Sequence, residues 1–484
     1  MGKRKKRKTV KKAARTKRAT KKRRATPAGR KAKKKAAPAK AKAKKKIKKK
    51  KTTASKPRAN KKKAAPSKAK AKKKKKAAPP KVKVKKKVTP SKPKRTKETR
   101  KPTPRKKPTP PKKIPFSKAL KDQIATVLVT GATRCVGSFL VQHLLREGYS
   151  VIATDHKDRE ILAQAETDGL VFKPGDLSNP SFVASCLEGV DAIFHPGSHA
   201  DGKPLFGDPG PSPVDGTRNL YQQARERGIK RFILITSASL YGRHHGPVAE
   251  DGMLESRDEY EQTQSEQESI VLENTLPGLP SATIIRPAAV YGPGCMSTMA
   301  SLATLPPLVT TLGPYFIPLS GGPRMNLVHG DDVARAAAFL LLHPAAYGGI
   351  FNVADNDPMP FGHFLNVAME SYGLRPLGPG VAYPPSTLLQ SILPYVEEDA
   401  IFSPLGNLSN ILWERIVRTH RLNKNLMPRL DQGAVPLGTR DLIVDNRKLL
   451  GLGFQLKYPK FRRGWKNTQA WYLKKRWIPR PNEL

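Results

Sequence analysis

Residues 125–137 read Ala-Thr-Val-Leu-Val-Thr-Gly-Ala-Thr-Arg-Cys-Val-Gly, and this stretch decides the fold class. Its first part is a continuous apolar run, which is typical of a strand buried in a parallel sheet. Gly131 and Gly137 bound a turn, and the amphipathic stretch Ser138–Glu147 predicts a helix directly after it. A second predicted strand, Ser150–Thr154, follows the helix. Residues 125–154 are therefore predicted to form a strand, a glycine turn, a helix and a second strand.

This arrangement predicts a dinucleotide-binding turn. Gly131 permits a tight turn, Gly137 permits close packing of helix and strand, and the helix N-terminus offers free N–H groups to a pyrophosphate. Asp155 ends the second strand, 24 residues after Gly131. A carboxylate there accepts from ribose hydroxyls and repels a 2′-phosphate, so it favours NAD over NADP. The alternative is that Asp155, at the end of the strand, caps a helix.

Strands and helices continue to alternate after Asp155. The predicted strands are Leu170–Lys173, Asp191–His195, Arg231–Thr236 and Ala282–Arg286, and the predicted helices lie near Ser181–Leu187, Thr217–Arg227 and Asp258–Leu272. Such alternation predicts an α/β fold with a Rossmann-type, doubly wound parallel sheet.

The folded part also carries a series of short motifs. They are Thr130-Gly131-Ala132-Thr133 with Gly137, Gly175-Asp176-Leu177, Gly189–His195, Val214–Leu220, Thr236–Gly242, Arg286-Pro287 with Val290–Gly294, and Val328–Ala334. With these motifs, residues 124–480 resemble the extended short-chain dehydrogenase/reductase family. That family includes NAD-dependent nucleotide-sugar epimerases and dehydratases and 3β-hydroxysteroid dehydrogenase-like enzymes.

The resemblance implies a site for hydride transfer between a hydroxyl or ketone and a nicotinamide. Tyr260 falls at the family's general acid/base, Ser237 at the residue that orients the substrate oxygen, and Gln264 at the family's catalytic lysine. Asp176 and Leu177 are implied to flank the adenine. The full set of candidate cofactor-binding residues is Gly131, Thr133, Arg134, Cys135, Val136, Gly137, Asp155, Asp176, Leu177, His195 and Pro287.

Three positions depart from the family pattern. Gln264 can hydrogen-bond a ribose but cannot stabilise a tyrosinate by charge, as the lysine does. Arg134 stands where the fingerprint has its middle glycine; its Cβ can obstruct the pyrophosphate, or its guanidinium can contact the phosphate. Residues 196–198, Pro-Gly-Ser, replace a Leu-Ala-Ala type sequence.

The substrate half is predicted to lie after the Tyr-Gly-Pro motif. We expect a disordered tail at 1–117, an NAD-binding domain at 118–292 and a substrate subdomain at 293–484, with Val353 in a strand that returns to the first domain. Residues 313–319 and 380–413 are rich in apolar side chains. They favour an apolar hydroxyl or carbonyl substrate, while the alternatives are ordinary core or a dimer surface. The family implies a homodimer through residues 217–227 and 258–272.

Charge is concentrated in the tail. The 484-residue chain has a formal net charge of +56. Residues 1–121 contain 59 of the 93 Lys and Arg of the chain and a single acid, Glu98. The other residues contain the remaining 34 basic and 36 acidic side chains, so their net charge is close to zero. This division excludes a uniformly basic globular DNA-binding protein. The segment has no aromatic residue before Phe116 and cannot bury enough apolar surface to fold by itself.

A polycation of this kind predicts DNA or RNA binding through residues 1–115. Neutralising phosphates releases condensed counterions, so the binding is expected to be independent of sequence and sensitive to salt. In composition the segment resembles the Lys/Ala/Pro-rich tails of linker histones and of bacterial nucleoid proteins. A solvated tail, or one that binds polyphosphate, ribosomes or an acidic membrane surface, remains the alternative.

The remaining composition narrows the class of protein. Cys135, Cys186 and Cys295 are too few for a disulfide framework or a zinc site, so we expect buried, reduced thiols and no metal. No apolar run reaches the ~20 residues that span a bilayer, and no secretory signal is present. The sequence therefore predicts a cytoplasmic protein, which can associate with the nucleoid through its tail. Asp331 and Asp332 are predicted to cap a helix over Val333–Leu342.

Three functions are consistent with these features. The first is an NAD-dependent oxidoreductase or epimerase tethered to nucleic acid. The second is a catalytically impaired NAD-binding sensor or scaffold at the nucleoid. The third is a DNA-bridging protein whose folded part dimerises.

Overall fold

The computed structural model describes residues 121–484 apart from 157–167, 198–211, 243, 245, 274–280, 297, 386, 389–390, 392–401, 424–425 and 427–437. The proposed tail therefore lies outside the described residues. The strands are β1 Thr126–Val129, β2 Ser150–Asp155, β3 Leu170–Pro174, β4 Ala192–Pro196, β5 Arg231–Ile235, β6 Pro247–Val248, β7 Ser281–Pro287, β8 Ala289–Tyr291, β9 Tyr315–Phe316, β10 Leu319–Ser320, β11 Arg324–Met325, β12 Leu327–His329, β13 Ile350–Val353, β14 Met359–Pro360, β15 Arg375–Pro376, β16 Val381–Ala382 and β17 Ile443–Val444.

The helices carry labels in the same order. They are α1 Cys135–Arg146, α2 Pro180–Cys186, α3 Pro213–Glu226, α4 Glu259–Leu272, α5 Thr298–Ser301, α6 Leu305–Thr310, α7 Gly330–Leu341, α8 Phe361–Tyr372, α9 Phe402–His420, α10 Arg447–Gly451 and α11 Phe461–Lys474. Short 3-10 turns cover Ala238–Tyr241, Pro344–Ala346 and Pro481–Glu483. Within the described residues, no helix combines the length and the apolar character that a bilayer crossing requires.

A parallel sheet of seven strands, ordered β13-β7-β5-β4-β1-β2-β3, forms the centre of the folded part. Strand β1 is buried on both faces, which explains its apolar run. Its Val127 and Val129 join one hydrophobic core, while Leu128 joins a second core on the opposite face. Helices α1 and α7 pack together, and α3 packs between α2 and α4. The predicted doubly wound α/β fold is confirmed.

The chain order reverses between β1 and β4, which are neighbours in the sheet. In such sheets ligands bind outside the carboxyl ends of the strands at the point of reversal. The glycine turn after β1 and residue Gly197 after β4 both lie at that edge. The fold therefore brings the glycine turn and Gly197 to the same edge of the sheet.

The return strand lies where the sequence predicted it. β13 contains Val353 and pairs in parallel with β7, with Ile350 opposite Ile284. Between the two strands, the chain leaves the sheet and forms the short parallel pair β8–β12. Residues of the far C-terminal part also come back, since β17 pairs with β6. The chain after residue 292 thus returns to the central sheet at β13 and pairs with the short strand β6 through β17.

The predicted cap of α7 is wrong. The N-cap is His329, whose Nδ1 accepts from the backbone N–H of Asp331 at 3.1 Å. Asp332 instead accepts from the backbone N–H groups of Lys457 and Tyr458, at 2.7 and 2.8 Å. Both acids lie inside the first turn, where the helix dipole favours them, and Asp332 holds the C-terminal segment to α7.

Candidate functional site

The glycine turn leads directly into α1. Gly131 has a φ of +54°, a conformation that side chains with a Cβ rarely adopt. A Cβ on Gly137 would lie 2.1 Å from the carbonyl oxygen of Gly131. Arg134 is the N-cap of α1 and makes no side-chain cap hydrogen bond. The first N–H groups of α1 are therefore free of a side-chain cap, which suits an anion at this point.

We expect Gly137→Ala to lower the free energy of unfolding by about 3 kcal/mol, because the new methyl group overlaps the backbone of the turn. Urea denaturation of the full chain measures the change. Gly451→Ala is the matched control, since a Cβ there meets nothing within 4 Å. Equal stability of the Gly137 variant and the wild type would show that the turn can move aside.

Asp155 is linked to the same turn. Its Oδ2 accepts from the backbone N–H of Thr133 at 3.2 Å and from the Thr133 hydroxyl, and its Oδ1 accepts from the His156 N–H at 2.8 Å. The carboxylate is partly exposed at the end of β2. It therefore braces the turn and retains lone pairs for a further donor.

His195 is buried in β4. Thr217 donates its hydroxyl to the carbonyl of Pro213 at 2.8 Å, so it accepts from His195 Nε2 at 2.8 Å. The other ring nitrogen, Nδ1, then accepts from the Thr130 hydroxyl at 2.6 Å. Burial lowers the pKa of His195 to about 4, so the ring is neutral at neutral pH. In this geometry His195 ties β1 and β4 to α3.

Gln264 points inward from α4 towards the end of β4. Its side chain is fully buried, and its Nε2 donates to the carbonyl of Gly197. One helical turn on, Gln267 donates to Pro213 and to Thr217, at 3.1 and 2.9 Å. The Oε1 atoms of both glutamines are buried and have no hydrogen-bond partner among the described residues. Two acceptors without donors thus lie at the carboxyl edge of the sheet.

Ser237 and Tyr260 lie on elements that pack together. Ser237 caps the 3-10 turn Ala238–Tyr241, and its Oγ lies 2.9 Å from the Ser239 hydroxyl. That turn packs against α4. Tyr260, the second residue of α4, is 40% exposed, whereas Gln264 is not exposed at all. The phenol is therefore accessible to solvent, whereas the amide one helical turn later is enclosed by protein.

A buried ion pair behind these residues was missed by the sequence analysis. Arg286 Nη2 lies 2.6 Å from Glu268 Oε2, and both side chains are at most 3% exposed. Glu268 also accepts from the Thr236 hydroxyl at 2.6 Å, and Arg286 donates to the Tyr241 hydroxyl at 3.0 Å. Burial opposes the charge of Arg286, but the hydrogen bonds and charge of Glu268 outweigh it and raise the pKa of Arg286.

This ion pair fixes α4 against β7 and against the residue that precedes Ser237. In the sequence, Arg286 is only part of a motif. Glu268 is an acid in a predicted helix, and nothing in the sequence indicates that it lies on the buried face of α4. A sequence pattern cannot show which acid meets which arginine.

The expectation for the cysteines is wrong in part. Cys135, in the first turn of α1, forms a disulfide with Cys295, which follows the Tyr291–Gly294 turn. Only Cys186 is a free, buried thiol as expected. The two cysteines are 160 residues apart in the sequence, and only the fold brings their segments together, so the sequence does not indicate the pair.

The other predicted residues lie at the same edge of the sheet or next to it. Asp176 follows β3, and its Oδ1 accepts from the Ser178 N–H at 2.7 Å. Leu177 is partly buried and faces Gly216 of α3. Pro287 is buried at the end of β7. In the apolar stretch predicted to meet substrate, Trp413 is fully buried while Leu388 and Ile411 are more than half exposed.

Comparison with known proteins finds that part of the chain is similar to one family. Residues 127–354 match the NAD dependent epimerase/dehydratase family. The match covers slightly less than half of the chain. The predicted cofactor, NAD, is confirmed at the level of the family.

Individual relatives cover several chemistries. The chain is 29% identical to UDP-glucose 4-epimerase from Vibrio cholerae over 48% of this chain and 70% of the relative. It is 27% identical to a 3 beta-hydroxysteroid dehydrogenase/Delta 5-->4-isomerase from Mycobacterium tuberculosis over 53% of this chain and 72% of the relative. It is 32% identical to sterol demethylase protein B from Methylococcus capsulatus over 35% of this chain and 52% of that protein.

Solved structures support the fold. A dTDP-glucose 4,6-dehydratase from Streptomyces venezuelae, with NAD bound, superposes with a TM-score of 0.51 at 22% identity, covering 74% of this chain and 99% of the other. UDP-glucose 4-epimerase from Thermotoga maritima gives a TM-score of 0.51 at 18% identity, with 72% and 99% covered. At such identities the likeness concerns the fold alone.

Proposed function

We propose that the protein is an NAD-dependent oxidoreductase or epimerase that acts on a hydroxyl/ketone substrate. The observation that carries the proposal is the position of Gln264, which is buried at the end of β4 and whose Oε1 has no donor among the residues that the structure describes. A ribose hydroxyl of NAD is a donor of the kind that this acceptor requires. The uncapped start of α1 and the carboxylate of Asp155 fit the pyrophosphate and the adenosine ribose in the same way.

Each residue then has a defined role. NAD supplies an acceptor or donor of hydride when it is bound. The Tyr260 phenol holds or releases the proton of the substrate oxygen, and the Ser237 hydroxyl orients that oxygen. Gln264 positions the ribose without contributing charge. Glu268 and Arg286 act through α4, whose position they fix.

The apolar character of residues 313–319 and 380–413 supports an apolar hydroxyl or carbonyl compound as the substrate class. The sterol-related names among the relatives agree with it, whereas the nucleotide-sugar enzymes favour a polar substrate. The family resemblance implies an arginine four residues before the histidine in the epimerase-type branch, where it grips a diphosphate. This chain has Met325 at that position, with Arg324 one residue earlier, and we favour the apolar class for that reason.

A second function is favoured by one feature of the same site. Without a lysine at position 264, no charge from that position lowers the pKa of the phenol, so a protein that binds NAD and reports its redox state is the alternative. For the tail, we propose non-specific binding of DNA or RNA by residues 1–115, because 56 net positive charges on a segment without aromatic residues attract phosphates and cannot stack on bases.

Substitution of Tyr260 separates the two functions. We expect the full chain to bind NAD and to reduce or oxidise a member of a panel of ketones, sterols and nucleotide sugars. Tyr260→Phe should lower kcat by about 100-fold or more, while the Kd for NAD changes less than twofold, because the phenol moves a proton and does not hold the cofactor. Stopped-flow absorbance at 340 nm and calorimetry give the two readouts.

The control is Tyr347→Phe, since Tyr347 is 40% exposed, follows the 3-10 turn Pro344–Ala346 and lies outside the proposed site. The variant Gln264→Lys adds a second criterion. If the wild type turns over nothing and Gln264→Lys creates activity, the wild type is a sensor, and the enzymatic function is refuted.

A further inference from the structure

Two of the three cysteines meet at the proposed cofactor site. Cys135 is the first residue of α1, and its Cα lies 4.5 Å from that of Cys295. The third, Cys186, is fully buried in the core on the other face of the sheet. The disulfide therefore joins one particular pair of segments: the turn that would hold the pyrophosphate and the loop that begins the substrate half.

The loop at Cys295 is anchored on its other side. The Tyr472 hydroxyl of α11 lies 2.8 Å from the carbonyl oxygen of Cys295 and 3.2 Å from that of Gly292. Tyr472 is itself fully buried. The disulfide thus connects the start of α1 to a point that the C-terminal helix already holds in place.

We propose that Cys135 and Cys295 form a thiol–disulfide switch that sets the affinity of the site for NAD. This inference rests on the proposed NAD site. Reduction needs a low-molecular-weight thiol as the reductant. Two thiol molecules lose two hydrogens and become a disulfide, while the protein S–S bond breaks and each cysteine sulfur gains one hydrogen. Cys135 is partly exposed and so is the sulfur that a reductant can reach.

The direction of the effect follows from preorganisation. In the disulfide form, the first turn of α1 is fixed before NAD arrives, so binding does not have to order it. After reduction, the glycine turn regains freedom that NAD must remove. We therefore expect the disulfide form to bind NAD about tenfold more tightly than the reduced form.

Re-oxidation is favoured at the same place. A thiolate at the start of a helix is stabilised, and Cys135 is the first residue of α1. Cys135 is accordingly the sulfur that attacks when an oxidised low-molecular-weight disulfide restores the bond.

The test measures thiols and NAD affinity on the same full-length sample. Alkylation in denaturant followed by intact mass should show one free thiol after oxidation, from Cys186, and three after reduction. Calorimetry with NAD should then show the tenfold loss of affinity on reduction. Cys295→Ser should bind like the reduced wild type under both conditions, and Cys186→Ala should keep the switch.

The other outcomes are separable. Equal affinity in both states, with the thiol count changing as expected, would show a purely structural disulfide and overturn the switch. Three free thiols after treatment with oxidised glutathione would overturn the pairing itself. Absence of NAD binding in either state would instead refute the proposed NAD site, and the switch with it.

Discussion

Glu268→Gln is expected to lower the free energy of unfolding by about 3–5 kcal/mol. The substitution keeps the shape of the side chain but removes the charge that balances Arg286, which is 3% exposed. A buried guanidinium without its carboxylate has lost its hydration, and no opposite charge compensates for that loss. Urea denaturation at neutral pH measures the effect.

The matched control is an ion pair of the same residue types on the surface. Glu414 and Arg418 lie 2.6 Å apart on α9, but their side chains are 47% and 71% exposed. Glu414→Gln should therefore change the stability by less than about 0.5 kcal/mol. A loss below 1 kcal/mol in Glu268→Gln would mean that water or another group reaches Arg286, and the ion pair would then not fix α4.

DNA affinity of the full chain is expected to fall by roughly 10³–10⁵ between 50 and 200 mM salt, the range for 6–10 phosphate contacts. The folded part contributes almost no net charge, so removal of residues 1–115 should abolish the binding. Fluorescence anisotropy with short duplexes of unrelated sequence measures both effects, and all duplexes should bind alike.

A variant in which the lysines and arginines of residues 1–115 are replaced by glutamine is the control for chain length. It should behave like the deletion, because counterion release needs the charges and not the chain. Affinity that survives the deletion, or that depends on the DNA sequence, would refute the tail as a non-specific nucleic-acid binder.

Local patterns were sufficient for the sheet. The apolar run before Gly131 predicted β1, because a strand buried on both faces has to be apolar throughout. The strand ends at Asp155 and His195 were predicted to within one residue for the same reason. The cap of α7 was missed, because a histidine ring one residue before the helix took the place of the expected acid.

The site was less predictable than the sheet. Its residues Ser237, Tyr260 and Gln264 came from the family resemblance, and their roles remain predictions. The partners of buried polar groups could not be predicted, because they depend on contacts across the fold: Glu268 with Arg286 over 18 residues, and Cys135 with Cys295 over 160. Neither pair leaves a local mark in the sequence.

The late return of β13 bears on how the chain folds as it leaves the ribosome. Ile284 of β7 pairs with Ile350 of β13, which is synthesised 66 residues later. Until then β7 presents unpaired backbone groups along one side, a template on which a neighbouring nascent chain can pair. Pairing of β13 satisfies these groups of β7, so a pause before Val353 would lengthen the period during which β7 can pair with another chain.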